Sequence, residues 1–301
     1  MQEAPQHNPQ LLGHLAVVVT ITIWATTYVL TKSLLTRLVP SQILVVRSIL
    51  GLAVLTIISP GKLEYAKPID RLYIALAGFC GIFLYYFLEN TALLYTSATN
   101  VGVIVAAAPF TTLLASRIFL KEEKLRLSYF AGLALSMGGI IILTASDGAD
   151  LGVNPYGDFL ALLAICVWAI YTTLTRVIGR SGYPNLKVTR NMFFWGLVGH
   201  TIALVAGGHS LPMQTILEKE VLLPLLFLGL VASALCFVLW NYGLRSIGPV
   251  KSSFYLYLSP VITIAFATTF LGEAFTLLDG VGTALTLMGL VISQWRFKPK
   301  K

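Results

Sequence analysis

The sequence predicts an all-α membrane protein with ten transmembrane helices, arranged as two inverted five-helix repeats with both termini in the cytoplasm. Three observations support this prediction. The 301 residues are 56% hydrophobic and only 11% charged, with a mean hydropathy of +0.81. The chain divides into ten long apolar stretches. A nine-residue phrase, WATTYVLTK, also returns near the middle of the chain as WAIYTTLTR.

The composition indicates that lipid, not water, is the main solvent. A soluble domain carries about 25% charged residues, and this chain has less than half of that share. A membrane-spanning helix needs about 20 mostly apolar residues. The stretches that satisfy this cover residues 11–31, 41–59, 71–94, 98–120, 128–145, 156–178, 187–206, 221–244, 249–271 and 278–295.

The basic residues predict the orientation. With both termini inside, fifteen of the 21 Lys and Arg residues fall in cytoplasmic loops or the tail, three in outer loops and three within spans. Lys and Arg remain on the cytoplasmic side during insertion. The net charge of +8 is therefore a topology signal and indicates no nucleic-acid partner. We expect a multi-pass protein of the cell inner (plasma) membrane.

The recurring phrase begins at Trp24 and at Trp168, 144 residues later. Further matches follow in the same order: Asn90 corresponds to Asn241 at an offset of 151, and FLKE at the end of span 4 corresponds to FLGE at the end of span 9. Ordered matches of this kind predict a duplication, with one repeat in residues 1–146 and the other in residues 147–301.

Five spans per repeat is an odd number, so the second copy enters the membrane from the opposite side. Many secondary transporters have inverted repeats of this kind, with the substrate site between the halves. Rocking of one half against the other would then expose the site to each side in turn. Spans 5 and 10 are rich in small residues and have few polar groups, so we expect them to be packing or lipid-facing helices away from this site.

These features resemble the EamA-type, ten-helix branch of the drug/metabolite transporter superfamily. The resemblance rests on the tryptophan of spans 1 and 6, the proline of spans 4 and 9, and the FLKEE and FLGEA sequences that close those two spans. It covers nearly the whole chain and implies a secondary transporter. The span-6 phrase VWAIYTTLTR is similar to that of the YddG-type aromatic amino acid exporters, which implies export of amino acids.

Two polar stripes are candidates for the wall of a substrate cavity. Residues at helical spacing share one face, and hydroxyl groups within a membrane require partners from neighbouring helices or a wet cavity. Interhelical packing is the alternative explanation. The candidates are Trp24, Thr27 and Tyr28 in span 1 and Trp168, Tyr171 and Thr172 in span 6.

Span 3 contributes Tyr86, Glu89 and Asn90. An ionisable group at membrane depth indicates a functional site, and Glu89 could hold a substrate ammonium group or a coupling proton. The position that matches Glu89 in span 8 is Trp240, beside Asn241. We propose both for the cavity, with an apolar part of the solute near Trp240. The alternatives are a glutamate at the outer water interface and two asparagines that only pin neighbouring helices.

Arg47 and Arg190 lie within spans 2 and 7. Each could form a gate ion pair or anchor a substrate carboxylate. The purely structural alternative is a pin between helices, or a side chain that extends to the interface.

Pro109 and Pro260 lie in the middle of spans 4 and 9, where proline removes a backbone hydrogen bond and permits a kink. We interpret both as hinges. Tyr255 and Tyr257, just before the second proline, would add aromatic surface to the cavity.

No phosphate-binding GxxxxGK[ST] sequence and no metal-ligand spacing occurs in the chain, so we expect no cofactor, no metal and no enzyme activity.

The predicted function is export of amino acids, with an aromatic or hydrophobic preference, driven by the substrate gradient or by protons. The same scaffold could instead export drugs, nucleobases or polyamines. An integral membrane enzyme would need clustered titratable groups near one face, and a scaffold protein would need large loops. The sequence has neither feature. The expected partners are a small-molecule substrate and the lipid bilayer.

Overall fold

Helices form most of the described structure, a computed structural model that covers residues 9–96, 98–121, 126–146, 154–266 and 276–294, and these residues contain no β-strand. The first half contains α1 (Pro9–Trp24), α2 (Thr27–Leu34), α3 (Pro40–Ile58), α4 (Pro68–Gly78), α5 (Tyr85–Tyr95), α6 (Ala98–Val105), α7 (Ala108–Ala115) and α8 (Leu127–Ser146). The second half contains α9 (Pro155–Arg180), α10 (Asn185–Ala206), α11 (Met213–Leu217), α12 (Lys219–Leu226), α13 (Cys236–Ile247), α14 (Pro249–Phe254), α15 (Leu258–Phe266) and α16 (Leu277–Gln294).

Wider or tighter helical turns join several of these helices. A π-helical segment, Phe79–Leu84, connects α4 to α5, and a second, Phe227–Leu235, connects α12 to α13. A third, Ser116–Leu120, extends α7, and the 3₁₀ turn Tyr255–Tyr257 connects α14 to α15. Because a π-helical turn departs from the regular hydrogen-bond ladder, it changes which side chains face the neighbouring helices.

Six helical stretches are long and apolar enough to cross a membrane, namely Pro40–Ile58, Pro68–Tyr95, Asn100–Leu120, Pro155–Arg180, Lys219–Ile247 and Leu277–Gln294. The helices Pro9–Trp24 and Leu127–Leu143 are apolar but shorter. Each of the ten predicted apolar stretches overlaps at least one helix. The predicted all-α class is therefore confirmed for the described residues.

Helices from the two halves pack against each other throughout the bundle. α1 packs on α13, and α9 packs on α5; α3 packs on α10, α7 on α14, and α8 on α16. The main hydrophobic core lies where α1, α5, α9 and α13 meet. Because these four helices come from both halves, the core is also the interface between the halves.

The α8–α16 pair has a backbone-to-backbone interface of small residues. A β-carbon at Gly139 would lie 2.6 Å from the carbonyl oxygen of Gly282, and one at Gly289 would lie 2.6 Å from that of Gly132. Only residues without a side chain allow so close an approach, as is common between transmembrane helices. The prediction that spans 5 and 10 are packing helices is confirmed.

Loop contacts join the halves at both ends of the bundle. At one end the hydroxyl of Tyr183 donates to Asp70 (2.6 Å) and accepts from the backbone N–H of Ala66 (2.7 Å). The hydrogen bond to the Asp70 carboxylate raises the pKa of Tyr183, because the phenol must keep its proton to donate. At the other end, Arg37 and Glu218 form an exposed ion pair of 2.6 Å.

Candidate functional site

Three indole rings meet at the centre of the core. Trp24 is the last residue of α1, Trp168 lies in the middle of α9 and Trp240 lies in α13. Their ring centroids are 5.6 Å (Trp24–Trp168), 5.3 Å (Trp24–Trp240) and 5.6 Å (Trp168–Trp240) apart, which is the usual range for aromatic pairs. We call these three residues the tryptophan cluster. The sequence analysis proposed all three for the cavity, and the structure brings them together.

The three indole N–H groups differ in their hydrogen bonding. Trp24 Nε1 donates to the carbonyl oxygen of Ala232 at 2.9 Å. The Nε1 atoms of Trp168 and Trp240 are buried without a hydrogen-bond partner among the described residues. A buried donor without an acceptor costs about 1–3 kcal/mol. Two such donors in one cluster are a chemical feature that a bound acceptor would satisfy.

The acidic side of the cluster is formed by α5. The ring of Tyr85 lies 4.7 Å from that of Trp168, and its hydroxyl donates to Glu89 Oε1 at 2.8 Å. Glu89 is 6% exposed, so in this conformation it does not lie at an open water interface. Tyr86 is also buried and packs on Phe237 with centroids 6.0 Å apart.

The sequence analysis missed Tyr85 and Phe237. Phe237 is fully buried and contacts Trp24 and Trp168 with centroid distances of 5.6 and 6.3 Å. Two signals could have identified these residues. Phe237 occupies the position that corresponds to Tyr86 at the offset of 151, and Tyr85 is four residues before Glu89 on one helix, where side chains meet.

Asn90 and Asn241, which correspond at the offset of 151 in the sequence, have different environments. The hydroxyl of Tyr171 donates to Asn241 Oδ1, and Asn241 Nδ2 donates to Thr189 Oγ1 at 2.9 Å. Asn241 thus pins α9, α10 and α13 together. Asn90 is 1% exposed, and neither its oxygen nor its nitrogen has a hydrogen-bond partner among the described residues.

The two arginines differ as well. Arg47 is 3% exposed, its Nε and Nη2 atoms donate to Ser233 Oγ at 3.3 and 3.1 Å, and its guanidinium carbon lies 4.5 Å from the centre of the Tyr86 ring. Arg190 is only half-buried and donates to the backbone carbonyls of Ser59 and Gly61. Arg190 thus pins the loop after α3, whereas Arg47 lies beside the aromatic core.

The remaining predicted site residues lie away from the cluster centre or make local bonds. Thr27, the first residue of α2, donates to the carbonyl of Trp24 at the end of α1, and Thr172 donates to that of Ala169 within α9. Tyr255 contacts His14 through a 2.7 Å hydrogen bond. Tyr257 is fully buried in a separate apolar group next to α8 and α16. The side chain of Tyr28 lies outside the described residues.

Helix interruptions occur next to both predicted hinge prolines. α6 ends at Val105 and α7 begins at Ala108, with Pro109 in the first turn. The 3₁₀ turn Tyr255–Tyr257 lies just before the helix that contains Pro260. The interruptions agree with the loss of a backbone donor at proline. The described residues contain no group of three or more His, Cys, Asp and Glu side chains that could hold a metal ion.

The sequence is similar to known transporters along its length. It is 25% identical over 286 residues to an uncharacterized transporter of Archaeoglobus fulgidus, covering 93% of this chain and 96% of that protein. It is 27% identical over 237 residues to a probable terminal-alkyne amino-acid exporter of Streptantibioticus cattleyicolor, covering 78% and 77%. It is 26% identical over 201 residues to the uncharacterized inner membrane transporter YedA of Escherichia coli K12, covering 64% and 60%.

The fold also has a solved counterpart. A crystal structure of another protein superposes with a TM-score of 0.73 at 20% identity, covering 95% of this chain and 98% of that one. The sequence profile of the EamA-like transporter family matches this chain at residues 11–145 and at residues 155–294. The chain is therefore a multi-pass membrane protein that belongs to the EamA-like transporter family, a family of transporters and not of enzymes.

Proposed function

We propose that this protein is a secondary transporter of the inner membrane that exports amino acids, with a preference for aromatic or hydrophobic side chains. The observation that carries the proposal is the tryptophan cluster, which lies at the interface of the halves and contains two buried indole donors that have no acceptor within the described part of the chain. A solute with an apolar ring and polar ends suits such a site, because rings stack on the indoles and acceptors satisfy the N–H groups.

The proposed architecture is ten spans in two inverted repeats, residues 1–146 and 147–301. The two separate matches to one family profile support the duplication. Equivalent contacts support a two-fold relation between the copies. A β-carbon at Gly13 would lie 2.8 Å from Ser246 Cβ, and one at Gly157, which corresponds to Gly13, would lie 3.1 Å from Tyr95 Cβ. Tyr95 and Ser246 themselves correspond at the offset of 151.

The basic ends of the recurring phrase make equivalent contacts too. Lys32, the last residue of WATTYVLTK, donates to the carbonyl of Leu93 at the end of α5. Arg176, the last residue of WAIYTTLTR, donates to the carbonyls of Leu244 and Arg245 at the end of α13. Leu93 and Leu244 also correspond at the offset of 151. An interface with this symmetry supports alternating access by rocking of the two halves, with hinges at Pro109 and Pro260.

The substrate class rests on chemistry and on one relative. The aromatic surface of the cluster favours an apolar ring, and Glu89 beside Tyr85 supplies a negative group for an ammonium. The relative from Streptantibioticus cattleyicolor has a name that describes an amino-acid exporter. The relative in Escherichia coli is named an inner membrane transporter, which supports the same location here. Export is driven by the substrate gradient or by proton exchange through Glu89.

The test is transport into proteoliposomes that contain the purified full chain. We expect labelled phenylalanine or leucine to accumulate above the level in empty liposomes, and unlabelled aromatic amino acids to compete best. Nucleosides and polyamines in the same competition panel test the other solutes that this scaffold could carry. If a nucleoside or a polyamine competes better than every amino acid, the proposed substrate class is wrong.

A further inference from the structure

A small polar cavity lies next to the tryptophan cluster, between α3, α10 and the two π-helical segments that precede α5 and α13. Its walls include four polar side chains, and the aromatic residues Tyr86, Phe193 and Phe237 form much of the remainder. The free space is about that of one water molecule. The polar side chains of the wall are Arg47, Ser48, His200 and Ser233.

The positive charge of Arg47 has no acidic partner in the part of the chain that the structure describes. No carboxylate of the described residues lies within 4.0 Å of its guanidinium. Its contacts are the neutral hydroxyl of Ser233 and the face of the Tyr86 ring. A buried charge without a counterion is costly, and such groups within a membrane protein usually mark a pathway or a ligand site.

The other polar groups of the cavity are also suited to an anion. Ser48 Oγ lies 2.8 Å from His200 Nδ1. His200 is 1% exposed, and its Nε2 atom has no hydrogen-bond partner among the described residues. When Ser48 donates to Nδ1, the proton of the neutral imidazole is on Nε2, which is then a second buried donor.

We propose that this cavity is a binding site for one oxygen of a carboxylate group, and that Arg47 anchors the carboxylate end of the transported solute. The proposal rests on the proposed function and specifies the chemistry of one end of the substrate. Arginine is the side chain best suited to a carboxylate, because its planar group donates in a fixed fork.

The position of the cavity fits an amphipathic, zwitterionic solute. Phe237 lines the cavity and also contacts Trp24 and Trp168, so the anion site and the tryptophan cluster adjoin. Tyr86, which lies under the Arg47 guanidinium, is three residues before Glu89 on one helix. Residues at this spacing lie on one face, so the positive and negative groups flank the same face of α5.

Arg190 provides a matched control. It occupies the corresponding place in the second repeat, but it lies six residues after Pro184, whereas Arg47 lies seven residues after Pro40. One residue rotates a helical side chain by about 100°. Arg190 therefore points to the loop carbonyls of Ser59 and Gly61, and its replacement removes the same charge without changing the cavity.

The experiment measures binding of phenylacetate to the full chain in lipid nanodiscs, by tryptophan fluorescence and by thermal stability. We expect phenylacetate to bind to the wild-type chain. Binding of 2-phenylethylamine, which has an amine in place of the carboxylate, should not change when Arg47 is replaced. Arg47→Gln should weaken phenylacetate binding at least about tenfold, as expected for a lost charge-assisted hydrogen bond. Arg190→Gln should leave it unchanged. Should Arg47→Gln fail to fold, Arg47→Lys and Ser233→Ala are the substitutes, and both should weaken binding severalfold.

Three outcomes would overturn the proposal: no phenylacetate binding to the wild-type chain, equal binding by Arg47→Gln, or an Arg47-dependent response to sodium chloride alone, which would indicate a halide site.

Failure of the proposed transport function can be distinguished from failure of the carboxylate site. Arg47-dependent phenylacetate binding without amino acid transport would contradict the substrate class and retain the carboxylate site. Amino acid transport with unchanged phenylacetate binding in Arg47→Gln would contradict the site alone.

Discussion

The indole rings of Trp24 and Trp168 pack edge to face across the interface of the two halves, with centroids 5.6 Å apart and planes inclined by 74°. The two residues begin the same recurring phrase. They are nevertheless not chemically equivalent, because among the described residues only Trp24 has an acceptor for its indole N–H, the carbonyl of Ala232. If the cluster binds the solute as we propose, Trp168 therefore has an indole N–H left for it, whereas that of Trp24 is already bonded.

The first prediction uses phenylalanine substitutions, which retain an aromatic ring and remove the N–H group. Trp24→Phe should lower the free energy of unfolding by about 1 kcal/mol, because a hydrogen bond is lost. Trp168→Phe should lower it less, since its N–H has no partner to lose. Transport should show the opposite order, with Trp168→Phe reducing flux roughly threefold to tenfold. Thermal inactivation and proteoliposome flux, at matched levels of membrane insertion, measure the two effects. Equal flux in Trp168→Phe and wild type would contradict a solute contact at this residue.

The second prediction concerns proton coupling through Glu89. If this buried carboxyl carries the proton, an imposed pH gradient should change wild-type flux, and Glu89→Gln should abolish that response. The reason is that glutamine keeps the shape and the acceptor oxygen for Tyr85 but cannot exchange a proton. Glu64, an exposed loop carboxylate, provides the control substitution Glu64→Gln, which should retain the response.

Retention of the full pH response by Glu89→Gln would exclude this residue as the proton carrier. Export driven by the substrate gradient would then be the remaining energy source.

The sequence was sufficient to predict the helical class, the packing role of spans 5 and 10, and the presence of tryptophans 24, 168 and 240 in one region, but not that spans 5 and 10 pack on each other. These features depend on composition, on the spacing of small residues and on the recurring sequence matches, all of which can be identified from the sequence alone. The interruptions beside Pro109 and Pro260 were also predictable, because proline acts on its own backbone.

The direction in which individual side chains point was not predictable to the same extent. Tyr86 and Phe237 both follow π-helical segments, which displace them from the face that a regular period of 3.6 residues would assign. Arg190 differs from Arg47 by one residue of register, so the two arginines have unlike surroundings. Tyr255 and Tyr257 lie in a 3₁₀ turn and have separate surroundings, since Tyr255 contacts His14 and Tyr257 packs in the apolar group next to α8 and α16.

The third prediction tests the α8–α16 interface with two adjacent glycines. A β-carbon at Gly139 would lie 2.6 Å from the carbonyl of Gly282, whereas one at Gly138 would meet no atom within 4 Å. Gly139→Leu should therefore separate the helices and cost about 1–3 kcal/mol, the usual penalty of overpacking. Gly138→Leu gains the same helix propensity without the clash, and it should be neutral or stabilising. Thermal inactivation in detergent compares them, and equal inactivation temperatures would contradict the close packing.

The fourth prediction concerns the basic residues that end the recurring phrases. Lys32 and Arg176 donate to the last carbonyls of α5 and α13, where a positive charge stabilises the negative end of a helix dipole. Lys32 is exposed and Arg176 is half-buried, so water screens the first interaction more than the second. Lys32→Met should cost roughly 0.3–0.5 kcal/mol and Arg176→Met about 1 kcal/mol. Lys219→Met, at the exposed first residue of α12, removes a charge that makes no favourable contact with a helix C-terminus, and it should lower stability by less than either. Because these two residues bind helices of opposite halves, a loss of stability in Arg176→Met together with none in Lys32→Met at low salt would argue against equivalent roles in the two repeats.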